Sequence, residues 1–247
     1  MTTGAKVAIG CTLAMALAFG VEVLYIHHER SQPYKAPAQP DYWPTDPDDL
    51  VYLKREHPDS MADMKALAGR TLWVEAGGQM EYFAAKGQHA DYSKAVGVLL
   101  GAQPLAIQGA FQQAKPKGAV TRVPAGSSQV LLEFTMPKSA DPAKLFAAPV
   151  GYKDATGYTF YTDDIFFYED PHKLYDYWGA KIWQAIDAHQ VLTGMNERQV
   201  ALSLGQVAKS DGGAYGNRVM TYANSGHPMA VTFVSNKVTA IRAAEEF

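Results

Sequence analysis

Cysteine is nearly absent from this chain of 247 residues, with Cys11 as its single thiol. One thiol excludes a disulfide framework, a thiolate zinc site and a covalent c-type haem. An excess of basic charge is missing too, since 22 Lys and Arg stand against 25 Asp and Glu for a net charge of −3. Nucleic-acid recognition needs a basic face, so no nucleic-acid partner is expected. His57, His89, His172, His189 and His227 are scattered and form no His-x-x-x-His or His-Glu-x-x-His pair, so no metal site can be argued. A phosphate loop and a dinucleotide fingerprint are also lacking. Gly126-Ser127-Ser128 does not complete the Gly-x-Ser-x-Gly nucleophile elbow. Neighbouring carboxylates at Asp163-Asp164 and Glu169-Asp170 point to opposite faces if extended, which is wrong for an acid/base pair. No catalytic residue and no cofactor is expected, and the chain reads as a non-enzyme.

What is present is enough apolar material, 47% with 11% aromatic, to bury cores in one or two domains of roughly 150 residues. The sequence divides into an N-terminal anchor (1–30), a Pro-rich linker (31–49), a β-rich domain (50–170) and an α+β domain (171–247).

Residues 7–26 form an apolar run interrupted only by Glu22. A helix of about 20 residues spans the roughly 30 Å hydrocarbon layer of a bilayer. A cleaved signal peptide ending at Ala16-Leu17-Ala18 competes with an uncleaved anchor. The apolar run continues past that site to Ile26, which favours the anchor. A single-pass inner-membrane protein is therefore expected, with its N-terminus cytoplasmic and its folded part extracytoplasmic or periplasmic. Gly10, Ala14, Ala18 and Glu22 recur at every fourth position, the stripe of a helix-packing face. In the linker, Pro33, Pro37, Pro40, Pro44 and Pro47 exclude helix and leave an extended spacer. Tyr34, Tyr42 and Trp43 are unusual for a spacer and are candidate interaction aromatics, at the bilayer interface or on a neighbouring surface. Asp46, Asp48 and Asp49 lack the spacing of a calcium loop and read as a solvated turn.

In the third region Leu50-Val51-Tyr52-Leu53 and residues 60–68 read as short helical pieces. Residues 71–74 and 80–84 flank Gly77-Gly78 and read as a hairpin. Residues 129–136 alternate cleanly, with Val130, Leu132, Phe134 and Met136 on one face. With strands at 149–152 and 158–168, the region predicts a small barrel of SH3-like type. Residues 85–125 read as an insertion carrying some helix at 105–113.

The fourth region opens with Asp170-Pro171, an N-cap followed by proline at the first helical position. Leu174, Trp178, Ile182 and Ile186 continue at helical spacing, and Trp178 and Trp183 read as core or domain-interface aromatics. Asn196 with Gln199 predicts a capping box, Met195 with Val200 a hydrophobic staple, and Gly205 the helix end. Strands at 218–222, 229–234 and 237–241 follow, the last two joined by a two-residue turn at Ser235-Asn236.

The run Leu192-Thr193-Gly194-Met195-Asn196-Glu197-Arg198-Gln199-Val200, then Leu204-Gly205, Tyr222 and residues 231–238 (Val-Thr-Phe-Val-Ser-Asn-Lys-Val) resembles the SmpA/OmlA (BamE-like) domain. The resemblance covers about the last 55 residues, and the remainder resembles uncharacterised bacterial envelope proteins. It implies a two-layer α+β fold and, from a family of small outer-membrane lipoproteins that assist β-barrel assembly, a protein-binding or envelope-supporting task. The chain departs from the family in lacking a usable lipobox and in carrying some 190 residues ahead of the domain.

The whole is expected to be α+β: a transmembrane helix, a linker, a β-rich domain and a BamE-like domain. Its expected function is that of a membrane-anchored, non-enzymatic accessory or scaffold subunit of a membrane or envelope protein assembly. The expected partners are other membrane or envelope proteins and, through residues 7–26, the lipid bilayer. The alternative is an envelope binding module that recognises peptidoglycan or lipid, with an unrecognised hydrolase behind it.

Overall fold

The computed structural model describes residues 15, 19–28, 30–31, 46–114, 124 and 126–244. The chain separates into two compact units, Met1–Asp46 and Pro47–Phe247.

In the first unit, residues 15, 19–28, 30 and 31 are helical, and the continuous described run 19–28 (α1) is exposed along its length. At 1.5 Å per residue that run of ten accounts for about 15 Å, half of a hydrocarbon layer. Among the described residues no helix is long and apolar enough to cross a membrane. The expected transmembrane span, and the single-pass inner-membrane placement that rested on it, are therefore not supported. Glu22 is an exposed residue of α1. Gly10, Ala14 and Ala18 of the packing stripe, and the aromatics Tyr34, Tyr42 and Trp43, lie outside the described residues.

The second unit is built on two antiparallel sheets, which corrects the expected barrel. The larger contains β1 (Thr71–Val74), β2 (Glu81–Ala85), β3 (Ala90–Val98), β4 (Pro104–Ala114), β5 (Ser128–Thr135), β6 (Phe146–Lys153), β7 (Tyr158–Phe160) and β8 (Phe166–Phe167). Their order is β3-β2-β6-β5-β4-β1-β8, with β7 also on β6. Strand β1 does not form a hairpin with β2; it pairs with β4 (Thr71 opposite Ala106) and β8 (Trp73 opposite Phe167). Residues 105–113 are strand, not helix. A bulge between Ile107 and Gly109 shifts the two-residue period there, so the main-core face passes from Leu105 and Ile107 to Ala110, while Phe111 packs in the cluster on the other side. The alternation of β5 has a similar outcome. Val130, Leu132 and Phe134 enter the main core, while Leu131 packs on the opposite face with Ala90, Phe111 and Ala147. Both faces of β5 are therefore covered.

The smaller sheet has the order β12-β11-β10-β9, made from β9 (Val207–Ser210), β10 (Val219–Tyr222), β11 (Met229–Val234) and β12 (Lys237–Ala243). Ser235 and Asn236 have φ of 50° and 55°, the left-handed pair that a tight two-residue hairpin requires. Among the described residues of this unit, five short α-helices accompany the sheets: α2 (Met61–Ala66), α3 (Thr162–Ile165), α4 (Pro171–Leu174), α5 (Ala180–Asp187) and α6 (Glu197–Leu204). Asn196 and Gln199 close a reciprocal capping box on α6, and Asp170 caps α4 by accepting the His172 N–H. The helical stripe from Leu174 to Ile186 is interrupted at Gly179, whose φ of 80° separates a 3-10 turn from α5.

Backbone-to-backbone approach joins turns of the large sheet to α6 and its C-cap. A side chain at Gly101 would run into the Leu202 carbonyl, and one at Gly205 would lie 2.6 Å from the Gly77 oxygen. The same junction is crossed by a strap, residues 47–60. Val51 and Leu53 pack on the core beneath the small sheet, and Met61, Met64 and Leu67, directly after the strap, pack on the core of the large one.

Candidate interaction surface

Proline at 47 cannot donate a backbone hydrogen bond, and the chain leaves the 3-10 turn Pro47–Leu50 in extended form rather than as the expected helix. An extended chain sends successive side chains to opposite sides. Val51, Leu53 and Arg55 accordingly turn inward, while Leu50, Tyr52 and Lys54 turn outward. Leu50 is 71% exposed and Tyr52 is 89% exposed. Two large side chains therefore stand two positions apart on the outward side of the strap.

Asp48 is not a solvated turn residue; it is 3% exposed. A buried carboxylate has to be hydrogen-bonded. Its Oδ1 accepts from the Tyr177 hydroxyl and the Trp178 indole N–H, each at 2.7 Å, and its Oδ2 accepts from Asn196 Nδ2 at 2.7 Å. Burial and then the Asp48 charge push the Tyr177 phenol well above its usual range, so the phenol stays a donor. Arg198 donates to the Asp48 carbonyl at 3.0 Å and to the Tyr175 hydroxyl at 3.2 Å. Behind this knot the rings stack in series: Tyr175 on Trp178 at 4.4 Å, Trp178 on Trp183 at 5.2 Å and Trp183 on His172 at 4.1 Å. Asp48 thus ties the start of the strap to α6 and to the aromatic turn before α5. Tyr177, half-exposed, is held to the start of the strap by its bond to Asp48.

The far end of the strap is held by charge. Arg55 pairs with Glu75 at 2.9 Å and also donates to the carbonyls of Asp163 and Phe166. Burial raises the Glu75 carboxyl above its ordinary range despite Arg55. Asp163 accepts the backbone N–H groups of Glu56 and His57 at 3.2 and 2.9 Å and lies 3.1 Å from His57 Nδ1. Burial works against ionisation of Asp163, but the neighbouring Tyr168 hydroxyl and those two N–H groups prevail and hold its carboxyl low.

The carboxylates singled out in the sequence are dispersed. Asp163 and Asp164 share a cleft with His57, whereas Asp170 and His172 associate with Asp187, at 2.9 and 3.2 Å from the two ring nitrogens, and Glu169 is exposed. Among the described residues no group of three His, Cys, Asp or Glu is placed to hold a metal ion. Asp48, Arg55, Tyr177 and Arg198 were not distinguished by sequence pattern, because their partners lie 20 to 150 residues away. Their one local signal is the polar-apolar alternation from Leu50 to Arg55. No family model, curated protein or solved structure matches the chain.

Proposed function

We propose that the chain is a non-enzymatic accessory or scaffold subunit of an envelope protein assembly, and that it meets its partner through Leu50, Tyr52 and Tyr177. The observation that carries this reading is the pair of large side chains, Leu50 and Tyr52, projecting from a strap that the Asp48 knot holds in place. Rigid presentation matters because association then costs little ordering of the binding segment. Tyrosine is among the side chains that dominate interface energies, and a charged rim here of Asp49, Lys54 and Arg198 suits a polar border. The BamE-like resemblance of the C-terminal residues, with its implied protein-binding task, supports the same class.

Affinity purification of the tagged full chain from its native cells tests the proposal. One protein should co-purify in stoichiometric amount and be lost with Leu50→Asp/Tyr52→Asp, while the circular dichroism and melting temperature of that variant stay unchanged. Recovery that is the same for both chains would refute it.

A further inference from the structure

The strap has the geometry of a strand but belongs to neither sheet. Its extended run lies between the 3-10 turn that ends at Leu50 and the Glu56 and His57 N–H groups taken by Asp163. Tyr52, Leu53, Lys54 and Arg55 each carry one main-chain donor and one acceptor. Among the described residues none of these main-chain groups makes a hydrogen bond. In an extended chain they point sideways, to one flank and then the other, so both flanks of the run are unpaired. The run is nevertheless fixed from beneath. Val51 and Leu53 pack on the core, and Arg55 is held by Glu75 and the Phe166 carbonyl. Little ordering entropy is therefore left to lose when something pairs with it.

A row of unpaired main-chain groups in strand form is a template for another chain. A helix satisfies its own main-chain bonds and would leave this row as it is, whereas an extended segment completes it. The outward side chains narrow the segment further. Lys54 is already answered by Glu56 at 2.9 Å, so no acid is needed beside it. Leu50 and Tyr52 have no such polar demand and favour apolar or aromatic neighbours across a strand pair. We infer that the partner docks by adding one extended strand along residues 52–55, with apolar or aromatic side chains beside Leu50 and Tyr52. Strand addition rests on the scaffold reading above and gives the form of its partner.

Hydrogen exchange resolved to single amides, on the full chain alone and on the complex recovered from its native cells, tests this. A strand edge bonds through every second residue. Either Tyr52 and Lys54 or Leu53 and Arg55 should therefore slow at least roughly tenfold in the complex, while the other pair changes less than about threefold. Unchanged exchange at all four amides, or uniform slowing of all four, would overturn strand addition and leave the scaffold reading standing. Recovery of no complex would overturn both. Alternate slowing in the purified chain alone as its concentration rises would assign the edge to a second copy and overturn the choice of a different protein.

Discussion

The two ends of the strap are fastened by different chemistry. At Asp48 one carboxylate collects three neutral donors at 2.7 Å and is almost fully enclosed. At Arg55 the bonds run between charged groups whose side chains are still about a quarter exposed, such as Arg55 and Glu75 at 27% each. Enclosure makes the first costly to break, because the buried Asn196 amide is left without its acceptor. Partial exposure makes the second responsive to salt and to pH, because solvent ions screen it and its acids titrate. The outward face of Leu50 and Tyr52 begins directly after the enclosed end, where presentation is most rigid.

This contrast is open to measurement. The largest effect is expected for Asp48→Ala, which strands the Tyr177, Trp178 and Asn196 donors. It should lower stability in urea by about 3–5 kcal/mol, and a loss below about 1 kcal/mol would show that the knot does not hold the strap. Arg55→Ala should lower it by about 2–3 kcal/mol by leaving Glu75 buried and unpaired, and adding Glu75→Gln should recover part of that loss. Asp163→Asn is expected to cost about 1 kcal/mol at neutral pH. Its carboxyl is held below the ordinary 3.8, so the contribution is present above that value and lost as pH falls through the lower folded value. Glu75, held high, acts in the opposite sense: it favours the fold below its raised value and ceases to as pH rises through it. Acid titration monitored by fluorescence should therefore be flatter for Asp163→Asn than for the parent below about pH 4. The smallest effect concerns salt. Raising sodium chloride to about 0.5 M should reduce the Arg55–Glu75 coupling in a double-mutant cycle by a few tenths of a kcal/mol and leave the Asp48–Asn196 coupling unchanged.

How far the fold could be read from sequence followed the range of the contacts. The capping box of Asn196 and Gln199, the Asp170-Pro171 helix start and the Ser235-Asn236 hairpin are decided by residues within a few positions, and each is present in the structure. The large sheet was poorly legible because β1 finds partners more than 30 and more than 90 residues away, and because the β4 bulge interrupts its period. The N-terminal expectation rested on the composition of residues 7–26, whereas the continuous helical run described there covers residues 19–28. Of the candidate surface, only the alternation from Leu50 onward was visible locally. The carboxylate that fixes it was masked by an Asp-Pro-Asp-Asp context typical of exposed turns.

The central claim is that the strap presents Leu50 and Tyr52 to another protein, and photocrosslinking from position 52 tests it most directly. A crosslinkable phenylalanine analogue replacing Tyr52 in the full chain, irradiated in native cells, should yield one dominant adduct with a different protein. That adduct should disappear when Asp48→Ala frees the strap. Crosslinking to no protein, or an adduct unaffected by Asp48→Ala, would contradict the account.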